Sequence, residues 1–457
     1  MDFQPRPHRP SRVKTGVLIL LVLAGAGWLG MKGWWGYQSN IQLVIAEELA
    51  DTLEAHRANP DMATHRDLAA TPGSWTDYRG PRRDGIVAGP RLLDSWTKDG
   101  LQPLYRQPVG GGYAAFVIGD GMAFTIEQRR DHEVVAAYDL LTGKERWTHG
   151  WPTYFRERLG GDGPRATPTL SGQWLLAYGA EGALVCLNAN TGTPRWRREV
   201  LKENKLENLP WAMSSSPLVH EGRVIVTTSG KEGAGVRAYQ LSDGTPLWSA
   251  VPEQQGYSSP VVVELAGRTQ ILNLAGNALY SLAPESGKVL WSLPWKTSMQ
   301  ISVAQPLLAG NDRVFVSTGY GKGSVLVKVT QKNNAFQATE LWTSLKMKNK
   351  FTTSVIHEGT IYGLDEGRLA ALDLETGKRL WKAREYGHGQ LLLADGKLIV
   401  LGDDGTLGLV NPSREAYSEI SAFQALEGRT WNNPSIAGGI LLIRNDREMT
   451  AFDLRAP

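Results

Sequence analysis

Cys186 is the only cysteine of the 457-residue chain, and eight histidines accompany it. A nucleophilic or metal centre would have to be built from these residues and from carboxylates. One thiol excludes intramolecular disulfides and any zinc site that needs several cysteines. The histidines form no HExxH and no paired metal spacing. His132, His149, His220 and His357 fall in loop-like contexts and are read as solvated. The chain has no Walker loop and no GxSxG, and the GGG run at Gly110–Gly112 is not followed by a helical pattern, so it does not read as a phosphate cradle. Asp403 and Asp404 adjoin in a turn, and KMKNK (Lys346 to Lys350) reads as a solvated loop. On these residues no catalytic group, metal ligand or cofactor is expected.

The elements that would position any other site are written in a repeat. DLLTGKERW ends at Trp147, NANTGTPRW at Trp196, QLSDGTPLW at Trp248, APESGKVLW at Trp291 and DLETGKRLW at Trp381, with a degenerate copy ending at Trp342. A period of about 40–50 residues with several short strands per unit is the signature of a β-propeller. The runs upstream of each Trp, such as GRVIVTTSG from Gly222 and DRVFVSTGYG from Asp312, alternate apolar and polar residues and bend at Gly. In each copy the acid ends a strand, and Thr-Gly turns the chain with Gly free to take positive φ. The Trp then opens the outermost strand, where a large flat ring can seal the seam between neighbouring sheets. These Trp residues are therefore expected to be structural docking groups.

A second marker counts the units. Segments entering an innermost strand begin at Gly112, Arg165, Ser215, Ser258, Ala304, Thr352, Gly389 and Asn433, which predicts eight blades, with seven as the alternative. The seventh closes at NPSREAY, with Tyr417 in place of the Trp, and the eighth runs out at Ala451–Leu454 before any closing Trp. The missing outer strand is available upstream in GLQPLYRQP, with Tyr105 in the Trp role, and its insertion would remove the open sheet edges.

In a propeller the loops that enter the innermost strands emerge together around the axis. Here they carry Tyr113, Arg165, Thr167, Trp211, Ser214, Ser215, Tyr257, Ser258, Gln300, Ser302, Lys350, Thr352, His388, Trp431, Asn432 and Asn433. Aromatics interleaved with hydroxyls, amides and a few cations have the composition of a recognition surface. Ser and Thr at these positions also serve to satisfy strand-end backbone groups. Trp211, Tyr257 and Trp431 are larger than a turn requires, and with Arg165 they are the main candidates for a binding mouth.

The DxxTGxxxW repeats resemble the pyrroloquinoline quinone (PQQ)-type propeller repeat of bacterial quinoprotein alcohol dehydrogenases. That repeat is shared by non-catalytic envelope propellers, among them the lipoprotein that assists outer-membrane barrel assembly. DYRGPRRDG (Asp77 to Gly85), TIEQRRDHEVVAAYDLLTG (from Thr125) and GDGPRATPTL (from Gly161) are similar to PQQ-like propellers of environmental bacteria. The resemblance covers roughly residues 75–457 and implies an all-β, eight-bladed fold of four-stranded antiparallel blades. It does not imply an activity. The dehydrogenases carry an adjacent Cys-Cys pair over the quinone, which one cysteine cannot supply. Their calcium-binding carboxylate and amide cluster has no residue-by-residue match here.

Towards the N-terminus, Thr15 to Met31 carries no charge and reaches the lower limit for a bilayer-spanning helix. Arg6, Arg9, Arg12 and Lys14 precede it, which places a basic tail (1–14) in the cytoplasm and exports the body of the protein. Trp28, Trp34, Trp35 and Tyr37 suit an interfacial belt, so 15–37 is read as an anchor in the inner membrane. A signal peptide cleaved near Ala24–Ala26 is the alternative. Ile41, Ile45, Leu49 and Leu53 make one helical stripe, predicting a stalk over 38–60, and 61–100 reads as an irregular strap before a propeller over 101–457. A net charge of +3 gives no argument for a nucleic-acid partner. The expectation is a non-catalytic periplasmic propeller that binds an envelope protein, a peptide or a glycan. An enzyme with its site in the central funnel, such as a quinone-dependent dehydrogenase, is the alternative.

Overall fold

The computed structural model describes residues 73–456, apart from 98, 231–234, 298 and 334. The expected anchor over 15–37 and the stalk over 38–60 lie outside the described residues. Among the described residues no helix is long and apolar enough to cross a membrane.

The strands form eight sheets, each a blade. Blade 1 comprises Val117–Gly119, Met122–Arg129, His132–Asp139 and Glu145–Pro152, paired antiparallel in chain order. Blades 2 to 7 repeat this order, with innermost strands at Thr169–Ser171, Leu218–His220, Val261–Leu265, Leu307–Leu308, Val355–His357 and Gln390–Ala394. The middle strands carry apolar side chains on both faces, because each blade is covered by a neighbour on either side. Ala183–Asn188 of blade 2, for example, is buried until its last residue. His132, His149, His220 and His357 stand on strands and not in loops.

Blade 8 contains Ser435–Ala437, Ile440–Arg444 and Glu448–Asp453, and its outer strand is Tyr105–Pro108. The register pairs Tyr105 with Ala451 and Pro108 with Glu448. A strand from before the first blade therefore completes the last, and the ring closes.

The TG turns show why the nine-residue motif recurs. Gly143, Gly192, Gly244, Gly287 and Gly377 all adopt φ between 64° and 74°, a region that L side chains avoid. Asp139 and Asp373 hold their turns by accepting from Thr142 and Thr376. The bare face of each glycine lies against the preceding blade's ring. A Cβ on Gly192 would stand 2.5 Å from Trp147, and one on Gly244 would stand 2.8 Å from Trp196. Each indole also donates its Nε1–H across the seam: Trp147 to Ala189 O, Trp196 to Leu241 O, Trp248 to Pro284 O, Trp342 to Leu374 O and Trp381 to Ser413 O. Tyr105 packs on Gly143 in the same manner.

Trp291 differs. Its Nε1 donates to Gln270 Oε1 within its own blade, because blade 5 folds its last two strands as a long hairpin, Gly323–Lys332 and Ala335–Ser344, with no TG turn to meet the ring. The seam between blades 7 and 8 is filled by Trp96, edge-on to Phe423, which is in turn edge-on to Phe452.

The segment read as an irregular strap has a defined place. Trp75 exchanges backbone hydrogen bonds with Ile118 of blade 1, and Thr76 O accepts from Leu170 N of blade 2. Ile86–Val87 adds a fifth, parallel strand inside Gln390–Ala394 of blade 7. Arg83 donates to the carbonyls of Ser216, Pro217 and Pro260 in blades 3 and 4. Arg79 donates to those of Ser354 and Leu391 in blades 6 and 7. Tyr78 Oη accepts from Asn433 of blade 8. Trp75–Val87 is thus an axial plug, bonded to the inner edges of seven blades.

Candidate functional site

The segments that enter the innermost strands repeat in register. Ala115, Thr167, Ser216, Ser259, Gln305, Thr353, Gln390 and Asn433 occupy one equivalent position. Its side chains lace the blades together. Thr167 Oγ1 accepts from Ala115 N, Ser216 Oγ from Thr167 N, Ser259 Oγ from Ser216 N and Thr353 Oγ1 from Gln305 N. The hydroxyls at the mouth's base are therefore engaged by backbone groups of neighbouring blades. Ser215 pairs with Thr227, and Ser258 donates to Ala304 O.

Two residues earlier stand Tyr113, Arg165, Ser214, Tyr257, Val303, Phe351, His388 and Trp431, one from each blade. All eight are partly exposed, and six of them, all but Ser214 and Val303, make ring or cation contacts at the mouth. Trp431 packs on Tyr113 at 5.3 Å between centroids and on Phe351 at 5.1 Å, and Phe351 packs edge-on to His388 at 4.9 Å. Trp211 lies edge-on to Tyr257 at 5.8 Å. The loop at residues 155–163 links the two arcs. Arg165 lies 4.6 Å from the Phe155 centroid and 5.8 Å from that of Tyr113, and its guanidinium donates to Gly161 O and Gly163 O. Lys350 Nζ sits 5.5 Å from the Tyr320 centroid and 5.7 Å from that of Phe351, while Arg429 covers Trp431 at 4.8 Å.

Burial raises the phenol pKa of Tyr113, and it pushes that of Tyr257 up to about 12. Both are neutral hydrogen-bonding groups at ordinary pH. Burial, reinforced by the Lys350 cation and opposed in part by the Asp403 carboxylate, lowers the pKa of His388.

Some expected residues lie elsewhere. Asn432 is fully buried, and its amide donates to Gly112 O and Ala114 O across the seam from blade 8 to blade 1. Gln300 packs against Gly276 and takes no part in the ring contacts. Within Lys346–Lys350, Met347 and Asn349 are buried, Lys348 pairs with Glu366 and Lys350 reaches the mouth, so this run is not a solvated loop. Phe351 is a mouth residue that the sequence reading misses, although it shares the register position of Tyr257 and Trp431. Phe155, Tyr320 and Arg429 come from other loops and carry no repeat signal.

The plug lies directly beneath. The carbonyls that receive Arg79 and Arg83 follow the mouth residues by a few positions in the same segments, so the guanidinium groups are placed under the aromatic ring. Arg79 is 2% exposed, its Nε has no partner, and burial lowers its pKa. Arg83 is held by Asp77 Oδ1, and burial raises the Asp77 pKa. The mouth is a cup with a floor.

Closed eight-bladed ring, TG–Trp seams and axial mouth together define a propeller of the PQQ-like class. The chain belongs to the family whose model is described as outer membrane protein assembly factor BamB, which matches residues 131–383. It is 26% identical over 295 residues to the outer membrane protein assembly factor BamB of Yersinia pestis, covering 60% of this chain and 73% of that protein. It is also 26% identical over 280 residues to BamB of Escherichia coli K12, covering 60% and 70% respectively. Among solved structures, BamB of Moraxella catarrhalis superposes with a TM-score of 0.57 at 16% identity, over 77% of this chain and 99% of that one. The quinohemoprotein alcohol dehydrogenase of Comamonas testosteroni superposes with 0.61 at 13% identity, over 90% and 85%. At these identities the superpositions carry the fold alone.

Proposed function

We propose that this protein is a non-catalytic scaffold of the bacterial envelope that takes part in assembling outer-membrane proteins and holds a protein partner in its axial mouth. Residues 15–37 export the propeller and hold it at the inner membrane. The observation that carries the reading is the mouth itself. One equivalent position of the repeat supplies Tyr113, Arg165, Tyr257, Phe351, His388 and Trp431 to a single aromatic cup. Large aromatics and Arg are the residue types that dominate binding energy. Membership of the assembly-factor family supports the class of process.

Depleting the protein in its source cell should lower the folded fraction of outer-membrane barrel proteins, read by heat-modifiable gel mobility. Wild type should restore that fraction, and a chain carrying Trp431→Ala with Tyr257→Ala should restore less while accumulating to the same level. In the same cells, alkaline extraction should leave the wild-type chain in the membrane pellet. Unchanged barrel proteins on depletion would overturn the assembly reading, and full rescue by the double variant would remove the mouth from it.

A further inference from the structure

The inner edges of the blades are not all covered. In blade 7, Leu393 pairs with Leu398 but donates its N–H away from that partner, to Gly85 O. In the same register Ile118 of blade 1 donates to Trp75 O, and Leu170 of blade 2 donates to Thr76 O. The equivalent residues of blades 3 to 6 are Val219, Val262, Leu308 and Ile356. Among the described residues their inward N–H groups meet no acceptor. Leu308 is 39% exposed, and Val219, Val262 and Ile356 are partly exposed, whereas Ile118, Leu393 and Ile436 are buried. The plug therefore lines one half of the inner wall at this level and leaves the other half bare. Blade 4 differs from its neighbours in that half. Its innermost strand, Val261–Leu265, has five residues, as many as Gln390–Ala394 of blade 7, and the other six have two or three. In blade 7 that length receives the parallel strand Ile86–Val87. Blade 4 has the same length, a further inward peptide group at Glu264, and no fifth strand among the described residues.

We infer that the inner edge of Val261–Leu265 is a strand acceptor, which takes an extended partner segment with consecutive β-branched apolar residues as the fifth strand of blade 4. An uncovered strand edge pairs with another chain, and main-chain hydrogen bonds supply the affinity. The side chains of the added strand would stand between the inner strands of blades 3 and 5, where Val219 and Leu308 offer apolar surface. Ile86–Val87 shows which residue types suit such a place. This chain has no such segment to spare. Residues 61–72, which lead towards the plug, contain no Val or Ile. Among the described residues every run of consecutive Val or Ile, such as Val134–Val135 and Ile399–Val400, already lies in a paired strand, so a second copy has none to offer. Arg83 occupies the carbonyls of Pro217 and Pro260, two residues before Val219 and Val262 on the same inner edges. The acceptor thus lies on the far side of the plug from the mouth and is independent of it.

The test uses the detergent-solubilised full-length chain and fluorescence anisotropy with a labelled octapeptide, Lys-Gly-Ile-Val-Ile-Val-Gly-Lys. One control is the same peptide N-methylated at alternate residues, which keeps the side chains and removes the pairing groups. A second has Asn-Ser-Asn-Ser in place of Ile-Val-Ile-Val. Glu264→Pro removes an inward N–H that takes no part in the pairing with the next strand, whereas Glu264→Gln keeps it. The octapeptide should bind wild type and Glu264→Gln alike, and Glu264→Pro at least about tenfold more weakly. Both control peptides should lose a similar factor, and Trp431→Ala with Tyr257→Ala should bind the octapeptide as wild type does. Equal binding of the N-methylated peptide, or unchanged binding by Glu264→Pro, would overturn the acceptor. Loss of binding in the mouth variant would move the peptide to the mouth and overturn it too. Binding only by a chain beginning at residue 73 would show that a preceding segment of this chain fills the edge. A wild-type dimer abolished by Glu264→Pro would show a second copy there, and either result overturns the partner. If Glu264→Pro melts below wild type, a benzophenone-bearing octapeptide decides. Adducts on residues 218–220, 261–265 or 307–308 support the acceptor, and adducts on the mouth loops overturn it. No binding of the octapeptide to any form would remove the acceptor, while the depletion experiment would still decide the scaffold reading.

Discussion

A tryptophan on a strand and a glycine one blade away act as a single unit. Trp196 is 9% exposed, donates to Leu241 O and lies over Gly244. Trp196→Ala leaves a void in the seam and should cost roughly 3–5 kcal/mol, as other buried large-to-small aromatic changes do. Gly244→Ala meets both the ring and a φ of 74°. It should be strongly destabilising alone and less so in a Trp196→Ala chain, because the clash with the ring has gone. Strictly additive melting data for the pair would sink the coupled account. These seams are legible in the sequence because the motif repeats at fixed spacing. The mouth is legible in part, because Tyr257 and Trp431 stand out by size, whereas Phe351 shows only once the blades are set in register. Asn432 misleads, since an amide that bonds buried carbonyls looks in sequence like one that faces a ligand.

Among the elements, the outer strand of blade 8 and the plug are both supplied by chain that precedes blade 1, yet they do different work. The outer strand can be read in advance, because seven blades end in an aromatic closing strand and the eighth does not. The plug cannot. Asp77 to Gly85 has no strand alternation, and its bonds run from arginines to carbonyls in four blades, which no periodicity announces. Three truncations separate the roles. A chain beginning at residue 73 keeps both elements and should melt cooperatively. One beginning at residue 94 retains the closing strand but loses Arg79, Arg83 and the strand Ile86–Val87, leaving inner-strand carbonyls without donors. It should remain soluble but melt at a lower temperature, since each unsatisfied buried polar group costs about 1–3 kcal/mol. One beginning at residue 110 also loses Tyr105–Pro108, exposes the edge of Glu448–Asp453 and should aggregate. Identical melting of the first two would show that the plug does not brace the ring.

Over the whole molecule, closure makes every blade depend on both neighbours, and blade 1 is joined to them by buried carboxylates. Glu127 faces Arg444 of blade 8 and bonds Arg129 and Tyr138. Glu133 reaches into blade 2, where it accepts from Ala180 N, and it also accepts from the Trp151 indole. Among the described residues no cation forms an ion pair with Glu133. The charged groups that influence it are Glu181 and Arg165. Burial, offset in part by the two donors, raises its carboxyl from the ordinary 4.5 to about 7. The folded ring therefore holds a proton that the unfolded chain releases between those values. The associated stability is fully present below about pH 4.5 and is lost as pH rises through about 7, a difference of at most about 3 kcal/mol. Melting temperature should accordingly fall between pH 5.5 and pH 8. Burial raises the Glu127 carboxyl to about 7 as well, so Glu133→Gln, which has no proton to lose, should reduce that slope by roughly half and leave the part that Glu127 contributes. A wild-type slope that survives undiminished in the Glu133→Gln protein would assign the pH dependence to other groups and leave the seam between blades 1 and 2 independent of pH.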